Sequence, residues 1–336
     1  NWRIPTPPLW LGLALIAALI LAALADRASR RWRVGTVGLV LMLLGVLLAH
    51  PFAPQVTPRE LEMTAIDVGQ GDSLLLAFPT GRLMLVDGGG IPTFGRKSAT
   101  RLDIGEDVVS PYLWQRSIRQ VDVVVCTHAH EDHMGGLPAL MANFHVRELW
   151  TGALPEGPER QRLLEAAARS GTRVVARHQG ESLEFGGARI RVLAPVADYL
   201  PGEKPRNNDS LALGIVYGRN SFLLTGDVER QVEAEMVAES GLGHADVLKV
   251  AHHGSKTSST DLFLDATTPT FAVVSAGFEN AYGHPHPDVV ERYRERGICL
   301  YRTDRDGLVS FRADGRRIRI ETNGDHLTGW GLWSAF

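Results

Sequence analysis

A chain of 336 residues with 35 Lys and Arg against 38 Asp and Glu carries a net charge of −3 at pH 7. That balance excludes a globally basic nucleic-acid coat and leaves room only for a local basic groove. The length suits one large domain or two small ones, and two cysteines, Cys126 and Cys299, are too few for a disulfide framework. Both cysteines lie in apolar runs and read as small buried hydrophobes.

Residues 1–55 differ from the rest. Leu9–Ala25 and Val34–Ala49 are runs without a charge, each close to the roughly 20 residues that cross a bilayer. Neither has the polar face of a helix on a soluble core. Two such segments around the arginine-rich stretch Asp26–Arg33 do not read as a signal peptide. The basic stretch is expected to stay cytoplasmic, which puts the larger domain on the extracytoplasmic side. A first residue other than Met reads as a piece of a longer membrane protein. Pro51, Pro54 and Pro58 then stop the second helix. The predicted organisation is a transmembrane helix pair over 1–55, a linker over 56–60 and a mixed domain over 61–336.

Within that domain, strands are predicted at 61–68, 73–78 and 83–86, the last two forming a hairpin around Pro79-Thr80-Gly81. A short helix follows at 111–119. Residues 121–127 form a continuous apolar strand of the kind buried on both faces. Helices are predicted to start at Gly135 and to cover 160–170 and 228–240, with Gly171 and Gly241 as stops. Short strands are expected at 173–176, 189–193, 211–217, 221–224, 246–251, 271–275, 298–302 and 308–312. Strands interleaved with helices predict layered α/β or α+β packing.

The densest chemistry is His128-Ala129-His130-Glu131-Asp132-His133, directly after the strand at 121–127 and before Gly135-Gly136. Side chains converge on loops at strand ends, and imidazole with carboxylate suits zinc, manganese or iron. His128 and His130 can hold one cation while Asp132 and His133 hold a second, and two cations about 3.5–4 Å apart can clamp one activated water.

This run resembles the His-x-His-x-Asp-His signature of the metallo-β-lactamase superfamily. The resemblance implies a four-layer αββα sandwich with a dinuclear metal cleft between its sheets. It also implies that Asp87, after the strand at 83–86, supports the metal loop, and that Asp227, in Leu223–Asp227, bridges both metals. One of His252 and His253, in Leu248–Ser255, would be a ligand, the other being left to hydrogen-bond substrate. The family's middle histidine has no match. His178 stands in the wrong setting, and Asn207–Leu211 fills the slot, with Ser210 as a supporting residue. One metal would therefore be less fully held, which opens the site to Mn²⁺ as well as Zn²⁺.

Some features suit a polyanion. Gln70–Ser73 and Gly88–Gly90 bring backbone N–H groups near a place for phosphate. Gln70, Asp72, Asn208, Lys249, Ser255, Lys256 and His286 are candidate substrate contacts. His284 and His286, on either side of Pro285, can protonate a leaving oxygen or hold a phosphate. Asp132 and His284 are the candidate catalytic pair. Arg312, Arg316, Arg317 and Arg319 read as a solvated edge strand, and Tyr112, Trp114 and Arg116 as packing rather than base-stacking residues. Gly329–Phe336, with Trp330 and Trp333, offers no reading.

Asp67–Ser73, Asn207–Leu211, His252–Ser255 and Gly283–Pro287 together resemble the C-terminal domain of ComEC-type competence proteins, which are membrane channels for DNA uptake. The resemblance covers about residues 60–312. It implies a nuclease that uses two divalent metal ions, Zn²⁺ or Mn²⁺, to degrade the DNA strand that is not imported. DNA, the membrane, the channel domain of the same longer protein and other competence machinery are the partners it implies, at the inner or plasma membrane. Two alternatives stay open: a hydrolase of small esters such as phosphorylcholine esters, and a non-catalytic DNA-binding or gating module.

Overall fold

The computed structural model describes residues 5–25, 29–92, 102–239 and 241–323. Asp26, Arg27 and the tail with Trp330 and Trp333 lie outside the described residues. Contacts divide the chain into two compact units, Asn1–Val56 with Ser110–Arg119, and Thr57–Val109 with Gln120–Phe336.

In the first unit, α1 (Leu9–Ala25) and α2 (Arg30–Ala49) pack through Leu11, Ala18 and Leu43. Most of their other large side chains, among them Leu13, Ile16, Val37 and Leu41, are exposed, which suits hydrocarbon rather than water. By length and composition α2 is able to cross a membrane, whereas α1, at 17 residues, falls short of the roughly 20 that span a bilayer. The third helix, α3 (Ser110–Gln115), brings Tyr112 against Arg116, whose guanidinium bonds the phenol oxygen at 3.0 Å and the Gln55 carbonyl at 2.7 Å. Tyr112 and Arg116 are thus tied up within this unit.

The described residues of the second unit form fifteen strands. In chain order these are β1 (Leu61–Ala65), β2 (Leu74–Ala77), β3 (Leu83–Val86), β4 (Gln120–Cys126), β5 (His145–Thr151), β6 (Arg173–Ala176), β7 (Ser182–Phe185) and β8 (Ala188–Ala194). They continue with β9 (Ala212–Tyr217), β10 (Asn220–Leu224), β11 (Val247–Lys249), β12 (Phe271–Val274), β13 (Cys299–Arg302), β14 (Val309–Ala313) and β15 (Ile318–Thr322). They form two mixed sheets, ordered β15-β14-β1-β2-β3-β4-β5-β6 and β13-β12-β11-β10-β9-β8-β7. Each sheet has an antiparallel half and a parallel half. The run β3-β4-β5-β6 is parallel in the first, and β10-β11-β12-β13 in the second.

The inner faces of both sheets share one apolar core, with Met63, Leu76, Val125 and Trp150 from the first meeting Ile190, Ile215, Phe222 and Val273 from the second. Helices cover the outside. α4 (Glu131–Met134), α5 (Leu137–Asn143) and α6 (Pro158–Ser170) follow strands of the first sheet, and α5 and α6 pack on its β5 and β6. α7 (Arg230–Glu239), α8 (Asp261–Thr267) and α9 (Pro287–Glu295) build a second core on the outer face of the other sheet around Leu248, Phe263 and Tyr293. This is the αββα sandwich that the resemblance implied.

Two details refine the sequence reading. Cys126 is buried as expected, but Cys299 is exposed, because its strand lies at the edge of its sheet. On the edge strand β15, Arg319 bonds Glu60 at 2.6 Å, while Arg312 of β14 lies 3.3 Å from Glu321.

Candidate metal centre

The parallel strands explain where the chemistry gathers. β3 and β4 of one sheet and β10 and β11 of the other end at the same place, and the chain leaving each strand carries a polar residue: Asp87, His128, Asp227 and His253 in turn. Ligand sites form outside the carboxyl ends of parallel strands for this reason. After β4 the chain bends at His128 and Ala129, His130 is extended, and α4 makes a single turn, capped by a bond from the His133 N–H to the His130 carbonyl at 3.1 Å.

Four groups of three donor atoms lie within 4.8 Å of one another: His128 with His133 and Asp227, Asp132 with His133 and His253, Asp72 with Asp227 and His253, and Asp72 with Asp87 and His133. His133 Nε2 is 3.1 Å from Asp227 Oδ2 and 3.3 Å from His253 Nε2. Asp132 Oδ2 is 3.4 Å from His253 Nε2. His130 stands beside the cluster, its Nδ1 2.9 Å from His128 Nε2, and its other nitrogen is 3.3 Å from the Pro205 carbonyl.

Electrostatics mark this as a site built for cations. Burial pushes the imidazoles of His133 and His253 down, but Asp227 and the neighbouring carboxylates overcome it and hold both well above the usual histidine range. Burial likewise raises the Asp227 carboxyl, and His133 and His253 reverse that and hold it well below the usual carboxylate range. Carboxylates this deeply buried demand positive charge. Divalent cations held by these donors would supply it. Mixed imidazole and carboxylate donors suit Zn²⁺ or Mn²⁺, so the residues fit the metals.

Supporting contacts orient the donors. Asp87, at φ 61°, accepts the Thr127 N–H at 2.8 Å with one oxygen, and the other oxygen meets the Thr127 hydroxyl at 2.7 Å and His133 Nδ1 at 2.8 Å. Ser210 Oγ accepts the Asp227 N–H at 3.0 Å and lies 3.3 Å from His128 Nδ1. His253 Nδ1 points at the Ser275 carbonyl at 2.9 Å. His252 and His253 both have left-handed backbones, at φ 50° and 51°, a conformation that costs a non-glycine residue about 1–3 kcal/mol. This kink turns the two rings apart. His253 enters the cluster, and His252 faces Glu229, Thr257 and Asn207 at the cleft wall.

Several predicted substrate contacts lie elsewhere. Asp72 and Lys249 are buried beneath the cluster and form an ion pair, with Lys249 also 3.4 Å from Asp227 Oδ1. Burial raises the Asp72 carboxyl, and Lys249 with His253 brings it down to about 2. Asn208 turns away to accept the Glu229 N–H at 2.8 Å, and it is Asn207 that lines the cleft. His286 caps α9, accepting from the Asp288 N–H at 3.2 Å. Ser255 is buried beside Thr257, and Lys256 is exposed. Gln70 and His284 do line the cleft. Burial, reinforced by His252 and His253, brings His284 down to about 4, so its ring is neutral at pH 7 and is a hydrogen-bonding group rather than a strong acid. His178 is exposed, 3.7 Å from Glu181. Glu229, Thr257 and Tyr282 escaped the sequence reading. Glu229 had one weak signal, its place two residues after Asp227.

The glycine loop also does something other than expected. The Gly88 and Gly89 N–H groups donate to the His133 and Asp72 carbonyls at 2.7 and 2.8 Å, and the Asp72 N–H donates to the Asp132 carbonyl at 3.1 Å. These donors are used up binding the two loops to each other and to α4, not offered to a phosphate. A Cβ on Gly90 would lie 1.9 Å from the Glu131 carbonyl oxygen. Gly90→Ala is therefore expected to destabilise this unit by about 3 kcal/mol or more, read as a lower denaturation midpoint, together with weaker metal uptake because α4 must shift. An unchanged midpoint would show that the loop packing is not rigid.

The model of the metallo-beta-lactamase superfamily matches residues 66–277. The chain is 32% identical over 321 residues to ComE operon protein 3 of Bacillus subtilis, covering 93% of this chain and 40% of that protein. It is 32% identical over 301 residues to competence protein ComA of Neisseria gonorrhoeae, covering 89% of this chain and 38% of that protein. The chain thus spans about 40% of the length of these relatives. Among solved structures, the metallo-beta-lactamase fold protein YhfI of Bacillus subtilis superposes with a TM-score of 0.46 at 13% identity, over 72% of this chain and 95% of that chain.

Proposed function

The chain belongs to the metallo-beta-lactamase superfamily and is homologous to competence proteins, and from this premise we propose that it is a metal-dependent phosphodiesterase of DNA uptake, degrading the strand that is not taken in. The observation that carries the reading is the convergence of Asp132, Asp227 and His253, backed by His128 and His133, on the floor of a cleft of about 890 Å³. Two divalent cations, Zn²⁺ or Mn²⁺, would be held by His128, His130, Asp132, His133, Asp227 and His253, and would supply Lewis-acid charge and an activated water. Asp132, the most exposed carboxylate of the cluster at 18% of its side chain, would hold a metal at the cleft surface and could accept a hydrogen bond from a water there. His284, neutral at pH 7, and Gln70 hydrogen-bond the phosphate oxygens, and Asn207 with His252 forms the facing wall. The apolar α1 and α2 anchor the chain in the membrane, and the arginine-rich stretch between them supports an extracytoplasmic hydrolase domain.

The test uses the full chain in detergent with labelled linear DNA, in EDTA or in Zn²⁺, Mg²⁺ or Mn²⁺, beside His133→Ala. Metal-dependent cleavage that is lost in EDTA and in the variant is the expected result. Folded, metal-loaded protein that leaves DNA intact and hydrolyses a phosphorylcholine ester instead would overturn it.

A further inference from the structure

Nucleic-acid clefts usually gain affinity from Lys and Arg along the phosphate backbone. Among the described residues this cleft offers little of that grip. Its lining includes Glu131, Asp132, Glu159 and Asp227, and Lys204 is the one Lys or Arg lining it among the described residues. Phosphates passing Glu131 and Glu159 would meet carboxylates, and an aromatic contact would add grip that these residues do not supply.

One wall offers an aromatic face. Tyr282 lines the cleft, and its ring lies nearly parallel to that of His284, with 17° between planes and 5.9 Å between centroids. The residue is 44% exposed and so keeps solvent-facing surface in the cleft. The loop that carries it is tied down at both ends. Asn280 donates to the Gly277 and His284 carbonyls at 2.9 and 2.6 Å and accepts the His284 N–H at 3.0 Å. The His286 N–H donates to the Gly254 carbonyl at 2.8 Å. An ordered aromatic beside a metal centre is a ready surface for a nucleobase, because every base has a π-face.

We propose that Tyr282, backed by His284, is a nucleobase platform that holds the base next to the phosphate at the metal centre, so that the substrate is an unpaired strand. The assignment rests on the phosphodiesterase reading, and its test is separable from cleavage. Binding of a fluorescent ten-nucleotide thymidine strand, and of the same backbone made abasic, is measured by anisotropy with the full chain in EDTA, where no cleavage intervenes. The base-bearing strand is expected to bind about 10-fold more tightly. Tyr282→Ala should erase that difference and Tyr282→Phe should keep it, with circular dichroism verifying the fold of each. Phe278→Ala changes an aromatic that is 76% exposed on the same loop but absent from the cleft lining, and it should leave the difference intact. Equal binding of the two strands by the unaltered chain would overturn the proposal, as would loss of the difference in Phe278→Ala but not in Tyr282→Ala. If the binding difference holds while no metal supports cleavage, the platform stands and the phosphodiesterase reading falls.

Discussion

Asp227→Ala is expected to abolish stable metal uptake and, on the phosphodiesterase proposal, to lower DNA cleavage by roughly 10³-fold. Asp227 is the residue on which both sheets' contributions meet. It follows β10, its Oδ2 lies 3.1 Å from His133 Nε2 and 3.3 Å from His253 Nε2, and its Oδ1 lies 3.4 Å from Lys249 Nζ. Removing it takes an oxygen donor out of two of the candidate ligand groups. It also leaves two imidazoles and an ammonium with less negative charge to face, so the buried centre no longer attracts a cation. The fold should survive, because Asp72 still pairs with Lys249 and the Asp227 backbone N–H still reaches Ser210. A loss of about 1–3 kcal/mol is the scale for such a buried polar deletion. Metal content by mass spectrometry on folded protein is the first readout, and cleavage rate the second. A variant that keeps its full metal complement would mean that Asp227 is not a ligand, and that the cations are held by His128, Asp132 and His253 without it.

Much of this centre was legible in the sequence because it is local. The cluster His128–His133 occupies one short loop, and the strand before it is apolar at nearly every position, so strand end and ligands are read together. Asp87 and Asp227 were legible for the same reason, each closing an apolar run. What could not be read is which way a side chain turns. His252 and His253 are adjacent and chemically identical, and only the two left-handed backbones decide between them. Asn207 and Asn208 pose the same problem. Lys249 looks like a substrate contact by its nearness to the motif, but strand alternation on β11 turns it inward to Asp72. The glycines at 88–90 looked like a phosphate loop because composition reveals flexibility and not the partner of each N–H. In the fold, β5 and β7 went unread because His145–Thr151 and Ser182–Phe185 mix polar with apolar residues. The helix α9 is hard to read because it opens on Pro287 and charged residues fill most of its remaining positions.

The second large effect concerns Asp87, the carboxylate that contacts the candidate ligand His133 at Nδ1. Asp87→Asn is expected to leave the fold intact and to weaken metal binding by about 10–100-fold. Asparagine tolerates the left-handed backbone at this position almost as well as aspartate does, so the turn itself is not at risk. The Thr127 N–H requires an acceptor at 2.8 Å, which fixes the amide oxygen on that side. The new NH₂ group must then face the Thr127 hydroxyl and His133 Nδ1, where Asp87 Oδ2 accepted both. The hydroxyl can rotate and accept. His133 can do so only by giving up its Nδ1 proton, and the neutral ring then carries its hydrogen on Nε2, the atom that faces Asp227 and His253. A protonated nitrogen has no lone pair for a metal. Carboxylate partners fix metal-ligating histidines through this tautomer choice. Isothermal titration with Mn²⁺ and Zn²⁺ measures the loss, and nitrogen-15 shifts of His133 report the tautomer directly. If affinity is unchanged while the ring keeps its Nδ1 proton, the amide has turned over and Thr127 has lost its acceptor, and the cost would appear instead as a lower unfolding midpoint.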